Sequence, residues 1–99
     1  VDSFPDVDFS KEMGVTHADF FRLLPSAMGN HPYRIDKHTV HGQLAQGTVI
    51  IKIGEQQVRR IALMAIPFAN VSFSYRGVSP DQLKAFTAHF DLRFQRGGG

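Results

Sequence analysis

Hydrophobic positions alternate along parts of this chain and recur every three or four residues along others, and the two periods divide it into strands and helices. Val7 and Phe9 share one side of a short strand, Gly14 supplies a turn, and Thr16 stands three residues before Asp19 as an N-cap. Phe20, Leu23 and Leu24 then form an i, i+3, i+4 stripe, so a helix follows. Pro25 either ends that helix or begins a further short turn through Ser26 to Met28, before Gly29 and Asn30 close it. A second helix is signalled by Ser79 as cap, Pro80 at the first helical position and Gln82 completing a capping box. Its buried face reads Leu83, Phe86, Phe90.

Between the helices lies sheet material. YRIDKHTVH (33–41) alternates loosely, while TVIIKI (48–53) and VRRIALMAI (58–66) flank the turn signal GEQQ and read as an antiparallel hairpin. Pro67 separates that run from a strand with Val71, Phe73 and Tyr75 on one side and Ser72, Ser74 and Arg76 on the other. The ending FDLRFQR also alternates, which places Leu92 and Phe94 inward and Arg93 and Gln95 outward on a closing strand. The order β-α-β-β-β-β-α-β implies an α+β fold: an antiparallel-rich sheet of about five to six strands with two helices packed on one face. Residues 1–96 are expected to form one compact domain and 97–99 a flexible run of glycines.

VDFSKEMGVT (7–16) and VSFSYRGVS (71–79) echo each other as Val-x-Phe-Ser, a short basic-containing stretch, then Gly-Val and a hydroxyl residue. Each copy precedes an apolar-periodic segment, so a strand–turn–helix unit is used twice. The expected core is Phe9, Phe20, Leu24, Ile51, Ile61, Phe73, Leu83, Phe86 and Phe94. Val49 to Ile51, and Leu63 with its neighbours, place apolar groups toward both sides of the sheet, so the open face needs a cover. A second copy is the first candidate, since most soluble oligomers are symmetric homodimers.

Composition narrows the chemistry. The 99 residues contain no cysteine, which excludes disulfides, thiolate nucleophiles and zinc–thiolate or cysteine-held iron–sulfur sites. The formal charge of +2 permits an acidic partner without requiring one. The longest mainly apolar run, residues 61–71, is broken by Pro67 and Asn70 and falls far short of the roughly 20 residues that span a bilayer. With no basic stretch leading into an apolar one at the start, a cytoplasmic protein with no membrane partner is expected.

Five histidines invite a metal site. On a strand, however, His38 and His41 face opposite sides, so no metal and no cofactor are expected. Asp36 and His38, or His89 and Asp91, are acid–imidazole candidates, but no nucleophile elbow, zinc-binding helix or phosphate loop accompanies them. A non-catalytic module is therefore expected, and His89 suits a cation near a helix C-terminus. The echo offers an anion-binding site: Lys11, Gly14 and Thr16 in one copy and Arg76, Gly77 and Ser79 in the other put a cation near a helix N-terminus. Its ligand would be an anionic small molecule. The alternative is an RNA or single-strand surface of Arg59, Arg60, Arg76, Arg93 and Arg96, with Tyr33, Phe68 or Tyr75 for stacking.

The segment RFQRGGG (93–99) resembles the arginine-rich diglycine tail of ubiquitin-like modifiers and sulfur carriers. That resemblance implies activation of Gly99, or of Gly98 after trimming, as a C-terminal adenylate. Those families open with a β-hairpin before the main helix, whereas this chain opens with one strand and adds a second helix. A closing strand that ends in fraying glycines is the simpler physical reading.

Overall fold

The computed structural model describes residues 4–97. The elements run β1 (Val7–Met13), α1 (His17–Met28), β2 (Tyr33–Asp36), β3 (Thr39–Gln43), β4 (Thr48–Ile53), β5 (Gln57–Ile61), β6 (Met64–Arg76) and α2 (Pro80–Gly97). All pairings are antiparallel in the order β1-β6-β4-β3-β2, with β5 also pairing with β6. The α+β class, with six strands and two helices packed on one face, is as the pattern implies.

The echo is realised in space. Its two strands, β1 and β6, lie side by side, and the equivalent residues Phe9 and Phe73 are direct cross-strand partners with rings stacked at 5.1 Å. Each strand then leads into a capped helix. Thr16 Oγ1 accepts from Asp19 N at 3.0 Å, and Ser79 Oγ accepts from Gln82 N at 3.2 Å. The second capping box is only half formed, because the Gln82 side chain accepts from Gln46 N instead of turning back.

Alternation along the buried strands selects Val40, Val49, Ile51, Val71, Phe73 and Tyr75 for the helix-facing side. Phe20 of α1 and Phe86, Phe90 and Phe94 of α2 close over them. Phe90 meets Phe73 edge-on at 5.2 Å and Phe94 at 4.7 Å, while Phe20 stacks on Phe94 at 5.3 Å. Truncating one of these rings to alanine removes about 3–5 kcal/mol. Tyr75 hides its ring in this core and satisfies its hydroxyl against Thr87 Oγ1 at 2.7 Å. Gly47 has φ of 82°, and a Cβ there would lie 2.2 Å from the Arg76 carbonyl oxygen, so only glycine closes the β3–β4 turn against the end of β6.

Four local expectations change. The ending forms no strand: Phe86, Phe90 and Phe94 recur on one helical face, and α2 continues to Gly97 with Leu92 turned to solvent. α1 runs through Pro25 and stops where Gly29, at φ of 63°, donates to the Pro25 and Ser26 carbonyls. GEQQ is no hairpin turn. β4 pairs with β6, and β5 resumes pairing with β6 after a short interruption, so the chain reverses at Ala62–Leu63 inside the run read as one strand. Ile61 is consequently exposed, while Phe9 and Leu83 pack against the edge of the core.

The open face is also more polar than the pattern implies. Val49 and Ile51 both point to the helices, and the face opposite carries Ser10, Ser72, Ser74, Lys52, Thr39, His41 and Arg34 around Ile50. Its apolar surplus lies elsewhere. Residues 57–68 of β5 and β6 form a two-stranded arm that reaches about 16 Å at roughly 3.3 Å per residue. The molecule accordingly measures 55 × 24 × 23 Å. Among the described residues, no helix is long and apolar enough to cross a membrane.

Candidate functional site

The cations read as anion holders are engaged by carboxylates. Lys11 lies across the Phe73 ring, 5.3 Å from its centroid, and pairs with Asp91 of α2, clasping strand to helix. Thr16 is consumed as a cap, and Gly14 lies exposed at the end of β1. Arg76 pairs with Asp6 at 3.4 Å and Asp8 at 3.0 Å, and also donates to the Tyr75 carbonyl. Hydrogen bonds from Ser74 and then from Arg76 hold the Asp8 carboxyl below its usual range. Gly77 turns the chain at φ of 70°, and Ser79 caps α2.

The arginines do not converge on one surface. Arg59, in the arm, lies over the Phe68 ring with its guanidinium carbon 4.4 Å from the centroid and reaches Glu12 of β1 through two bonds of 3.0 Å. That pairing lowers the Glu12 pKa and raises that of Arg59. Arg60 points from the other side of β5, and Arg76 stands ten positions along β6 from the partner of Arg59. Ten strand residues span about 33 Å. Arg93 is exposed on α2; Arg96 lies within the α2 backbone, its side chain outside the described residues. Of the proposed stacking rings, Tyr75 is buried and Phe68 is covered by Arg59. Gly97 ends α2, and Gly98 and Gly99 lie outside the described residues.

Three of the histidines serve as local struts. The His17 backbone N–H donates to Gln56 Oε1 at 2.7 Å, and its Nε2 donates to the Gly54 carbonyl at 2.7 Å, tying the start of α1 to the β4–β5 interruption. His38 packs on His17 with ring centroids 4.7 Å apart. His89 Nε2 donates to the Ser26 carbonyl at 3.0 Å, so the expected histidine at a helix C-terminus serves α1 from the side of α2. Among the described residues, no three metal-ligating side chains converge.

Three features remain after these pairings. The first is the arm. Val58, Ile61 and Met64 are half or more exposed and Leu63 at the tip is fully exposed. The register puts Ile61, Met64, Ile66 and Phe68 on one face beside Gln57 and Arg59, and Val58, Ala65 and Pro67 on the other beside Arg60, so both faces carry apolar groups. The second is a cleft of about 260 Å³ between β1 and the end of α2, with Met13, Val15 and Phe94 among its walls and Lys11, Glu12, Asp91 and Gln95 at its rim. It adjoins the arm's base, where Met13 pairs with Ala69 and a Cβ on Gly14 would come 3.8 Å from the Pro67 carbonyl. The third is a shallow concavity of about 480 Å³ on β2–β4, where Arg34 and His41 stand opposite each other beside Gln43, Thr48 and Ile50.

The sequence pattern missed the arm because Ala62–Leu63 carries no glycine, asparagine or aspartate to mark a turn. It missed the concavity because Arg34 and His41 meet only through strand pairing. No protein-family model, curated protein or solved structure matches the chain.

Proposed function

We propose that this protein is a non-catalytic interaction module that pairs with a second copy of itself through the β5–β6 arm. The carrying observation is the arm's exposed apolar set, Val58, Ile61, Leu63 and Met64, gathered on one projection while the sheet's open face is polar. A two-stranded hairpin standing alone in water is marginally stable, and further packing is what such an element needs. Its apolar side chains supply that packing when covered. The arginines on β5 discourage edge-to-edge growth into fibres, which favours face packing in a closed pair.

An anionic small molecule is a second reading, now at Arg34 and His41, whose side chains meet a concavity and form no ion pair among the described residues. Nucleic-acid binding draws less support, because Arg59 and Arg76 are already paired with carboxylates and lie far apart. The test is sedimentation velocity on the chain and on a variant whose residues 58–66 are replaced by a short Asn-Gly turn. The parent should sediment as a dimer and the shortened chain as a folded monomer. Equal sedimentation of both as monomers would exclude the reading.

A further inference from the structure

We infer that the concavity on β2–β4 holds a phosphate monoester of a small polyhydroxylated molecule. The inference rests on the second reading above, an anion at Arg34 and His41, and names the chemical class of that anion. It does not depend on the arm.

Strand register builds the site. On the open face His41 of β3 lies between Arg34 of β2 and Ile50 of β4, each its direct cross-strand partner. The next outward pair, Gln43 and Thr48, lies two residues along the strands, about 7 Å away. A cationic end, an apolar step at Ile50 and a neutral hydrogen-bonding end therefore share one concavity, and none of the residues lining it is acidic. Among the described residues, Arg34 and His41 form no ion pair and no side-chain hydrogen bond. Lys11, Arg59 and Arg76 differ in this respect, since carboxylates of their own chain already meet them.

Counting donors selects the ligand. The Arg34 fork offers two parallel N–H groups and the His41 imidazole a third. A phosphate monoester carries three terminal oxygens to receive them, whereas a carboxylate or a phosphodiester has two. Asp36, the next outward residue of β2, adds a carboxylate beside the concavity that repels a longer polyanion. At the other end Gln43 commits its Nε2 to the Gly47 carbonyl at 3.3 Å, so its Oε1 accepts while the Thr48 hydroxyl donates or accepts. Hydroxyl groups on the ligand match that pair. The volume of about 480 Å³ falls within the roughly 300–1,000 Å³ of small-molecule sites.

The test titrates the full chain at low salt with ribose 5-phosphate, inorganic phosphate, dimethyl phosphate and acetate, read by amide shifts and calorimetry. Ribose 5-phosphate should bind tightest and shift the amides of Arg34, His41, Gln43 and Thr48 together, while inorganic phosphate shifts Arg34 and His41 alone. Dimethyl phosphate and acetate, each one charged hydrogen bond short, should bind about tenfold or more weakly than ribose 5-phosphate. Arg34→Gln, at an exposed position, should keep the parent melting temperature and lose about tenfold or more in affinity for ribose 5-phosphate. Thr48→Val should lower the affinity for ribose 5-phosphate to that for inorganic phosphate and leave the latter unchanged.

Dimethyl phosphate or acetate binding as tightly as ribose 5-phosphate would overturn the monoester while leaving an anion site standing. Equal affinities for ribose 5-phosphate and inorganic phosphate in the parent would overturn the polyhydroxylated body. Unmoved amides at Arg34 and His41 with every probe, or parent-like binding by Arg34→Gln, would overturn both the ligand and the anion site.

Discussion

Replacing Leu63 with serine separates what the arm does for one chain from what it does between chains. The side chain is fully exposed in the isolated molecule, and exposed substitutions of this kind change stability by no more than about 0.5 kcal/mol. In the paired form the same side chain leaves water, and fully burying a leucine contributes about 1.5–3 kcal/mol. A twofold dimer contains two such side chains. Leu63→Ser therefore weakens association by about 3–6 kcal/mol, or roughly 10²- to 10⁴-fold in the dissociation constant. Sedimentation velocity over a dilution series measures the association, and thermal melting of the same samples at a concentration where both chains are monomeric measures the fold. Equal dissociation constants for parent and variant would refute the reasoning. So would a monomer melting point several degrees lower, because Leu63 would then be supporting the monomer itself.

Three further outcomes follow from the same geometry. Burial raises the Tyr75 pKa above its ordinary value of 10.0, so the folded chain holds that proton where the unfolded chain releases it. Its contribution to stability is complete below about pH 10 and is lost as pH rises toward the folded pKa; Tyr75→Phe should flatten this alkaline decline in a denaturation series, and an unchanged slope would contradict it. Lys37→Gly should stabilise the fold by about 0.5–1 kcal/mol by relieving a left-handed backbone at φ of 59°, measured by chemical denaturation, whereas a loss would mean that the lysine side chain matters more than the turn. Adding phosphate at low salt should shift the amides of Arg34 and His41 more than those of Gly14 and Gly77, and the reverse order would return the anion site to the helix N-termini.

The sequence made the two capped helices and the central strands legible because each announces itself locally. Thr16, Ser79 and Pro80 mark helix starts, and Val71, Phe73 and Tyr75 alternate without interruption. The ending was ambiguous because Phe90, Leu92 and Phe94 satisfy a strand's alternation, while Phe86, Phe90 and Phe94 also satisfy a helical face. Packing against Phe20 decides for the helix. Both two-residue hairpin turns, at Lys37–His38 and Ala62–Leu63, place a non-glycine residue at positive φ, so their usual composition signal is missing. The candidate surfaces were less legible still, because Gly14 approaches Pro67, Lys11 meets Asp91 and Arg34 faces His41 only after the chain has folded.

The most direct measurement of the arm's role is amide hydrogen exchange followed as the chain is diluted from concentrations that hold it paired. The account predicts that the amides of Ile61 to Ala65 lose protection on dilution, while the central strands β4 and β6 around Phe73 keep theirs. Rapid exchange at Ile61 to Ala65 at every concentration would contradict the claim that a second copy covers the arm.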